Sequence, residues 1–73
     1  MRQRRLKYLR NERGWSMRAL GDACYPPVSK NYICMGEKWG SMYQSHLERV
    51  AKALEWEGDP EALLDEIEVA EVV

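Results

Sequence analysis

Apolar residues recur at helical spacing along most of this chain, and turn-forming residues divide it into five short stretches. The strongest example is the set Leu47, Val50, Ala51 and Leu54, which follows the i, i+3, i+4, i+7 spacing of one helix face. No segment alternates apolar and polar residues in the way that a half-buried strand does. The pattern therefore predicts an all-α fold with five helices.

Turn and capping residues predict the ends of the first two helices. Helix one is expected over residues 3–13, because Gly14 is a common helix stop. Ser16 is a good N-cap for helix two, and a pair of prolines ends that helix.

Helices three and four are predicted from the same kinds of signal. Ser29 can cap helix three, which we expect over about residues 29–38, and Gly40 ends it. Ser41 and Gln44 then have the spacing of a capping box, which predicts the start of helix four.

The fifth helix is predicted from a stop, a cap and a first-turn proline that follow one another. Asp59 is the expected cap, and Pro60 suits the first helical position. The apolar residues that this helix should bury are Leu63, Leu64 and Ile67.

The length of 73 residues allows one domain, with a core over about residues 4–67 and a C-terminal tail over residues 68–73. Residues 1–38 carry nine Lys or Arg against three Asp or Glu, whereas residues 39–73 carry two against nine. The net charges of the halves are therefore +6 and −7, so the basic half can attract phosphate while the acidic half is repelled by it. The alternative is that these charge runs are only solvated helix faces.

Length and composition argue against several functional classes. A chain of this size has little room for a deep cleft, which argues against an enzyme. No apolar run approaches the roughly 20 residues of a membrane span, and no secretory signal follows the basic N-terminus, so we expect a cytoplasmic protein. Cys24 and Cys34 are expected to be reduced thiols, and together with His46 they lack a fourth metal ligand. We therefore expect no metal and no cofactor.

Three segments carry a resemblance to a known family. They are RLKYLRNERGWSMRALGDAC at residues 5–24, VSKNYICMGEKWG at residues 28–40 and HLERVAKAL at residues 46–54. In order, spacing and residue type they resemble the phage-repressor or Xre-like helix-turn-helix family. The resemblance implies a five-helix, lambda-repressor-like domain that reads double-stranded DNA with helix three. It also implies a nucleoid-associated transcriptional regulator of bacterial or phage type.

Four features depart from the family pattern. Met17 stands where the family usually has a glutamine that helps to hold a phosphate, and Gly21 stands where it has an alanine. The turn YPP after Cys24 is longer than the family's tight glycine turn, and Gly36 lies inside helix three. These departures concern the geometry of docking more than the fold.

The N-terminal part of the second helix of such a motif enters the major groove. Asn31 can pair with the N7 and N6 edge of adenine, Lys30 can donate to guanine, and Met35 can contact a thymine methyl group. The base-reading candidates are Lys30, Asn31, Tyr32, Cys34 and Met35. Two alternatives remain open, since Lys30 and Asn31 can also be solvated surface residues and Tyr32 can lie against helix two.

Phosphate contacts are expected from the flanks of helix three. Helix N-termini favour anions, so the backbone N–H groups at Ser16 and Ser29 are included. The candidates are Ser16, Arg18, Ser29, Lys38, Trp39, Ser41 and Tyr43, with Arg2, Arg4 and Arg5 as a basic arm. That arm either follows the DNA or frays, and Trp39 either lies near the phosphates or plugs the core.

The resemblance also implies a structural ion pair between Arg10 of helix one and Glu37 of helix three. If the pair is buried, removal of one partner leaves the other charge unpaired. Trp15 and Trp56 are interpreted as core or boundary aromatics, and His46 as an exposed helix residue.

One such domain reads only a few base pairs, so we expect a homodimer on two half-sites. Helix five and the Val69 to Val73 tail are the predicted dimer surface, because apolar residues lie in a tail that is too short to cover them. The acidic half can alternatively contact RNA polymerase or another regulator. The rival interpretation is a protein-interaction module, antitoxin-like or adaptor, that works through the acidic half.

Overall fold

The computed structural model describes residues 1–69 as four α-helices, one 3₁₀-helix and a two-stranded antiparallel sheet. In chain order the elements are β1 (Arg2–Arg4), α1 (Arg5–Glu12), α2 (Met17–Ala23), α3 (Lys30–Trp39), α4 (Gln44–Ala53), the 3₁₀-helix (Pro60–Leu64) and β2 (Glu66–Glu68). The all-α, five-helix fold expected from the sequence is therefore wrong. The first four predicted helices are present, whereas segments near the two chain ends pair as a sheet.

The fifth helical stretch is a single short 3₁₀-helix rather than an α-helix. Its start agrees with the prediction, because an Asp59 carboxylate oxygen accepts a hydrogen bond from the Glu61 N–H at 3.0 Å and Pro60 occupies the first turn. The helix then stops, since Asp65 has extended backbone angles and its carbonyl oxygen accepts a hydrogen bond from the Arg5 N–H at 2.8 Å. Pairing with the N-terminal segment thus replaces the second half of the predicted helix.

The sheet pairs the beginning of the chain with its acidic C-terminal segment. The register places Arg2 opposite Glu68, Gln3 opposite Ile67 and Arg4 opposite Glu66. As a consequence, α1 begins at Arg5 and not at Gln3 as predicted. A strand of three residues is too short to show an alternating pattern, and its partner lies at the other end of the sequence.

One hydrophobic core joins the helices. The largest completely buried side chains are Leu6, Leu20, Ile33, Leu47, Val50 and Leu63. They come from all four α-helices and from the 3₁₀-helix, so every helical element contributes. The predicted core face of α4 is confirmed, because Leu47, Val50, Ala51 and Leu54 are all buried.

Local capping residues define the start of α2 and both ends of α3. The Ser16 hydroxyl oxygen accepts a hydrogen bond from the Ala19 N–H at 3.0 Å, and the Ser29 oxygen accepts one from the Asn31 N–H at 3.3 Å. Gly40 ends α3 with a left-handed φ of 66°. These boundaries confirm the predicted ones, since each depends on residues within one turn.

The capping box predicted for the start of α4 is wrong. The helix begins at Gln44 with Tyr43 in the N-cap position, and no side chain caps it. A capping box needs the serine at the N-cap itself, and Ser41 stands two residues too early in the chain.

The connection between α2 and α3 explains the glycine at position 21. The Val28 N–H donates to the Gly21 carbonyl oxygen at 3.0 Å, so the end of the long turn folds back onto α2. A Cβ atom at position 21 would overlap the carbonyl group of Val28. The departure from alanine therefore follows from the path of the turn.

Candidate nucleic-acid interface

Helix α3 has one buried side and one exposed side. Ile33 and Gly36 are buried, and a Cβ at position 36 would meet the side chains of Met42 and Leu6, so this side faces the core. The exposed residues of α3 are Lys30, Asn31, Tyr32, Met35, Lys38 and Trp39, and Cys34 is partly exposed. Together with Arg18 of α2 they form what we call the α2–α3 surface. All five residues predicted to read bases belong to it.

The polar side chains of this surface are not used inside the protein. Within residues 1–69, the side chains of Lys30, Asn31 and Lys38 make no hydrogen bond and no ion pair, and the same holds for Arg18. Their donors are therefore available to an external ligand.

A cavity of about 340 Å³ lies where α2 meets the start of α3. Its lining includes Arg18 and Asp22 from α2, and Ser29 and Lys30 from the start of α3. Two cations thus face one carboxylate, which gives the groove a net positive charge. Of the predicted phosphate contacts, Arg18 and Ser29 lie in this groove, and Ser16 lies exposed at the N-cap of α2.

The other end of α3 carries exposed aromatic residues. Trp39 is 70% exposed and Tyr43 is 68% exposed, so the interpretation of Trp39 as a core plug is wrong. The Lys38 ammonium lies 6.0 Å from the centroid of the Trp39 ring, within the range of a cation–π contact. Ser41 is also exposed, so every phosphate contact predicted at this end lies on the surface.

Tyr32 packs against the start of α4 in a cluster of three rings. Its ring centroid lies 4.5 Å from that of His46 and 6.0 Å from that of Tyr43, and the latter two rings are 5.5 Å apart. His46 is half-buried rather than exposed, and its Nδ1 has no hydrogen-bond partner among the described residues. The packing of His46 against Tyr32 and Tyr43 was not expected from the sequence. The i, i+3 spacing of Tyr43 and His46 was the available signal.

Arg10 and Glu37 lie together beneath the α2–α3 surface. Arg10 Nε donates to Glu37 Oε2 at 2.7 Å, and Arg10 Nη2 donates to Glu37 Oε1 at 3.0 Å. The remaining nitrogen, Nη1, donates to the Trp15 carbonyl oxygen at 2.7 Å. The two charged side chains are only 9% and 4% exposed. Charge-assisted hydrogen bonds therefore join α1, the turn after it and α3.

The predicted basic arm at the N-terminus is not a frayed segment. Arg4 and Arg5 donate to carbonyl oxygens of the 3₁₀-helix at 2.7 Å and 3.2 Å. Arg2 lies 3.7 Å from a carboxylate oxygen of Glu68. The three arginines therefore belong to β1 and the first turn of α1, where each has a partner inside the protein.

Internal contacts divide the basic residues of the first half into two groups. The arginines with partners inside the protein are Arg2, Arg4, Arg5, Arg10 and Arg13. Arg13, for example, donates to the Leu54 carbonyl oxygen at the end of α4 at 2.8 Å. The other group makes no hydrogen bond and no ion pair through its side chains within residues 1–69: it consists of Lys7 of α1 and the cations of the α2–α3 surface, Arg18, Lys30 and Lys38. The surface that attracts anions is therefore narrower than the charge of the whole first half suggests.

The two cysteines are free thiols in different surroundings. Cys24 is buried in the core, and burial raises the pKa of its thiol above the ordinary value, although the positive charge of Arg49 opposes that shift. Cys34 is partly exposed on α3. Within residues 1–69, no three His, Cys, Asp or Glu side chains are grouped closely enough to hold a metal ion.

Across residues 1–69, no helix combines the length and the apolar character needed to cross a membrane. No family model, curated protein or solved structure matches this chain.

Proposed function

We propose that this protein binds double-stranded DNA sequence-specifically through the α2–α3 surface, as a nucleoid-associated regulator of transcription. The observation that carries the proposal is the exposed side of α3, where the side chains of Lys30, Asn31 and Lys38 make no hydrogen bond and no ion pair within residues 1–69. The resemblance to Xre-like helix-turn-helix proteins supports the same use of this helix.

The dimensions and side chains of α3 suit the major groove. Ten helical residues span about 15 Å, and an α-helix fits a groove about 12 Å wide. Asn31 and Met35 are four residues apart, so they lie on one stripe of the helix. With α3 in the major groove, Asn31 pairs with an adenine, Met35 contacts a thymine methyl group and Lys30 donates to a guanine.

Groups at both ends of α3 suit the phosphates that flank those bases. Arg18 lies beside the start of α3, and Lys38 lies in its last turn. Tyr43 and Ser41 offer exposed hydroxyl groups in the loop that follows. Contacts of this kind fix the register of the protein on the duplex, while the base contacts determine the sequence.

Two copies on half-sites about 34 Å apart are the expected binding unit. The predicted helix-five surface does not supply the contact in a simple way, because Leu63 is completely buried and Ile67 is half-buried within the same chain. Residues 70–73 of the predicted dimer tail lie outside the described residues. Sedimentation of the protein with its DNA site measures the stoichiometry.

Selection of bound duplexes from a random DNA pool at near-physiological salt tests the proposal. The wild-type protein is expected to enrich one defined site, as an inverted repeat if two copies bind and as a single short site if one does. Asn31→Ala is expected to relax the preference at one position of that site, by about 1–3 kcal/mol.

Lys38→Ala provides a second, different signature. It is expected to weaken binding to all sequences alike and to reduce the dependence of log affinity on log salt by about 0.9, the value for one phosphate contact. Lys52→Ala is the matched control, because Lys52 is an exposed lysine in the last turn of α4, far from Tyr43. The control is expected to leave the slope unchanged.

Failure to enrich any sequence, with only weak salt-sensitive binding, contradicts the proposal. It would favour the rival role as a protein-interaction module that works through the acidic half. In that case neutralisation of Glu61, Asp65 and Glu68 should weaken partner binding, whereas Asn31→Ala should not affect it.

A further inference from the structure

The strands β1 and β2 form a charged sheet at the chain ends, which we call the terminal ribbon. Backbone hydrogen bonds close both of its ends, since the Val69 N–H donates to the Met1 carbonyl oxygen and the Arg5 N–H donates to the Asp65 carbonyl oxygen, each at 2.8 Å. Within residues 1–69 no third strand joins the sheet. A two-stranded ribbon of this length is marginally stable, so it can open while the helical core remains folded.

Both arginines of the ribbon face carboxylates. Arg2 lies 3.7 Å from Glu68 and 4.0 Å from Glu66. Arg4 Nη2 lies 4.0 Å from the other carboxylate oxygen of Glu66. The side chains of Arg2, Glu66 and Glu68 are 72%, 51% and 71% exposed, whereas that of Arg4 is 22% exposed. The pairs of Arg2 are therefore solvated and screened by salt, and an external anion can replace its carboxylates. At Arg4 an anion has to displace Glu66 from a mostly buried guanidinium.

The ribbon adjoins the end of α3. The Arg4 guanidinium lies against Gly40, because a Cβ atom built on that glycine would be 2.7 Å from Arg4 Cζ. Gly40 directly follows Lys38 and Trp39, which belong to the α2–α3 surface. Arg4 therefore lies beside the surface to which we assign DNA binding, and Arg2 lies two residues before it in β1.

We propose that β2 is an autoinhibitory strand, whose two glutamates occupy Arg2 and Arg4 until DNA phosphates replace them. This inference rests on the proposed DNA binding and adds a second contact region to it. Arg4 keeps its hydrogen bond from Nη1 to the Leu64 carbonyl oxygen and exchanges only the partner of Nη2. Arg2 exchanges both of its glutamates.

The closed ribbon lowers the affinity for any DNA in two ways. It pairs the guanidinium groups of Arg2 and Arg4 and the Met1 ammonium with carboxylates, and in the proposed complex it holds those carboxylates beside the phosphate backbone. Contacts to phosphates do not depend on sequence, so holding them back leaves the base contacts of α3 to decide where the protein binds. Opening at a correct site then adds phosphate contacts to a complex that has already been selected.

The variant Glu66→Gln with Glu68→Gln tests this inference. Its matched control is Glu55→Gln with Glu57→Gln, which removes the same charge from exposed residues outside the ribbon. Affinity is measured from about 50 to about 200 mM salt for a duplex that lacks the selected site, on which the ribbon of the wild-type protein is expected to stay closed. The ribbon variant is expected to bind more tightly than the control, with a salt slope steeper by up to about 1.8 for two added phosphate contacts. A slope equal to that of the control overturns the proposal.

The same comparison in an Arg2→Gln, Arg4→Gln background isolates the two arginines. In that background, neutralising the two ribbon glutamates is expected to change the affinity for DNA by the same factor as neutralising the two control glutamates. If the extra gain persists without the arginines, it does not come from their release, and the inference fails.

Hydrogen exchange tests the opening of the ribbon in the wild-type protein itself. The amide protons of Val69 and Arg5 are expected to be protected in the free protein and to exchange faster when DNA is bound. If protection is unchanged in a complex whose affinity is still lowered by Asn31→Ala, the autoinhibitory role of β2 is rejected and the proposed DNA binding is not. If the wild-type protein selects no duplex, the proposed function fails as well.

Discussion

The Arg10–Glu37 pair illustrates what burial does to a single charged residue. The two side chains are 9% and 4% exposed, so water does not solvate either charge. Their mutual hydrogen bonds, with the bond from Arg10 to the Trp15 carbonyl oxygen, replace the lost hydration. The family resemblance suggested the pair, whereas the third partner at Trp15 was visible only in the folded chain.

Glu37→Ala is expected to lower the free energy of unfolding by about 3–5 kcal/mol, because it leaves the Arg10 charge buried without its partner. Glu48→Ala, an exposed change on α4, is expected to alter it by no more than about 0.5 kcal/mol. Replacing both partners, Arg10→Met with Glu37→Leu, should cost less than Glu37→Ala alone, because it leaves no unpaired buried charge. Urea unfolding measures all four proteins, and a small loss at Glu37 would contradict a structural role.

The two thiols are expected to differ in reactivity. Cys24 is 3% exposed and its pKa is raised by burial, so it lacks both access and thiolate character. Cys34 is partly exposed on α3. Iodoacetamide at neutral pH should therefore modify Cys34 first, as measured by peptide mass spectrometry. A Cys34→Ser control should show only slow labelling, and rapid labelling of that variant would show that the core opens around Cys24.

The raised pKa of Cys24 also predicts sensitivity to alkali. Because the pKa is higher in the folded protein than the ordinary value of 9.0, the unfolded chain loses this proton first as pH rises. The thiol therefore costs no stability below about pH 9, and stability falls as pH rises from there towards the folded pKa. Cys24→Ala should reduce this slope in unfolding experiments between about pH 8 and about pH 10. Equal slopes for the two proteins would argue against the shift.

At the scale of the elements, two helical glycines that look alike in the sequence have different surroundings. A Cβ at Gly21 would overlap the backbone carbonyl of Val28, which the α2–α3 turn holds in place. A Cβ at Gly36 would instead come within 2.5 Å of the Met42 Cε atom, the end of a flexible side chain. Helix propensity alone favours alanine at both positions by up to about 1 kcal/mol.

Gly21→Ala is therefore expected to destabilise the protein by about 1–3 kcal/mol, because the turn has to move. Gly36→Ala is expected to be neutral or to stabilise it by up to about 1 kcal/mol, since Met42 can change rotamer and the helix gains propensity. Thermal unfolding of the two variants compares them directly. The reverse order of stability would mean that the turn, and not Met42, is the adaptable part.

The same scale separates the boundaries that sequence predicts from those it does not. Ser16, Ser29 and Gly40 act on the turn of helix next to them: the two serines cap the starts of α2 and α3, and the glycine ends α3, as expected. Ser41 has the correct spacing to Gln44, yet α4 begins with Tyr43 as its N-cap. No side chain caps the first turn of α4. In that turn Tyr43 and His46 instead pack against Tyr32 of α3, which is a tertiary contact.

In the molecule as a whole, the 3₁₀-helix is part of the hydrophobic core, whereas β2 is only partly buried. Leu63 of the 3₁₀-helix is completely buried, while Ile67 of β2 is half-buried. The packing of the hydrophobic core therefore depends on Leu63, whereas the terminal ribbon lies at the edge of that core.

Leu63→Ala is expected to lower the free energy of unfolding by about 2–5 kcal/mol, because it opens a cavity between α1, α4 and the 3₁₀-helix. Ile67→Ala removes a similar number of methyl groups from a half-exposed site and should cost clearly less. Denaturant titration of both variants measures the difference. Equal losses would place the ribbon in the same cooperative unit as the helical core.

Residues that are close together in the chain were sufficient to predict the first four helices, three of their caps and the apolar face of α4. The amino-acid sequence also placed the base-reading candidates on one helix, because helical periodicity determines which side chains share a surface. The tertiary structure determines which charged side chains have a partner inside the protein and which are free to bind an external ligand. The basic N-terminal residues and the acidic C-terminal residues meet only in the fold, where Arg2 and Arg4 pair with Glu66 and Glu68. Such pairing has no local signal, since strands of three residues show no period and each depends on a partner at the far end of the chain.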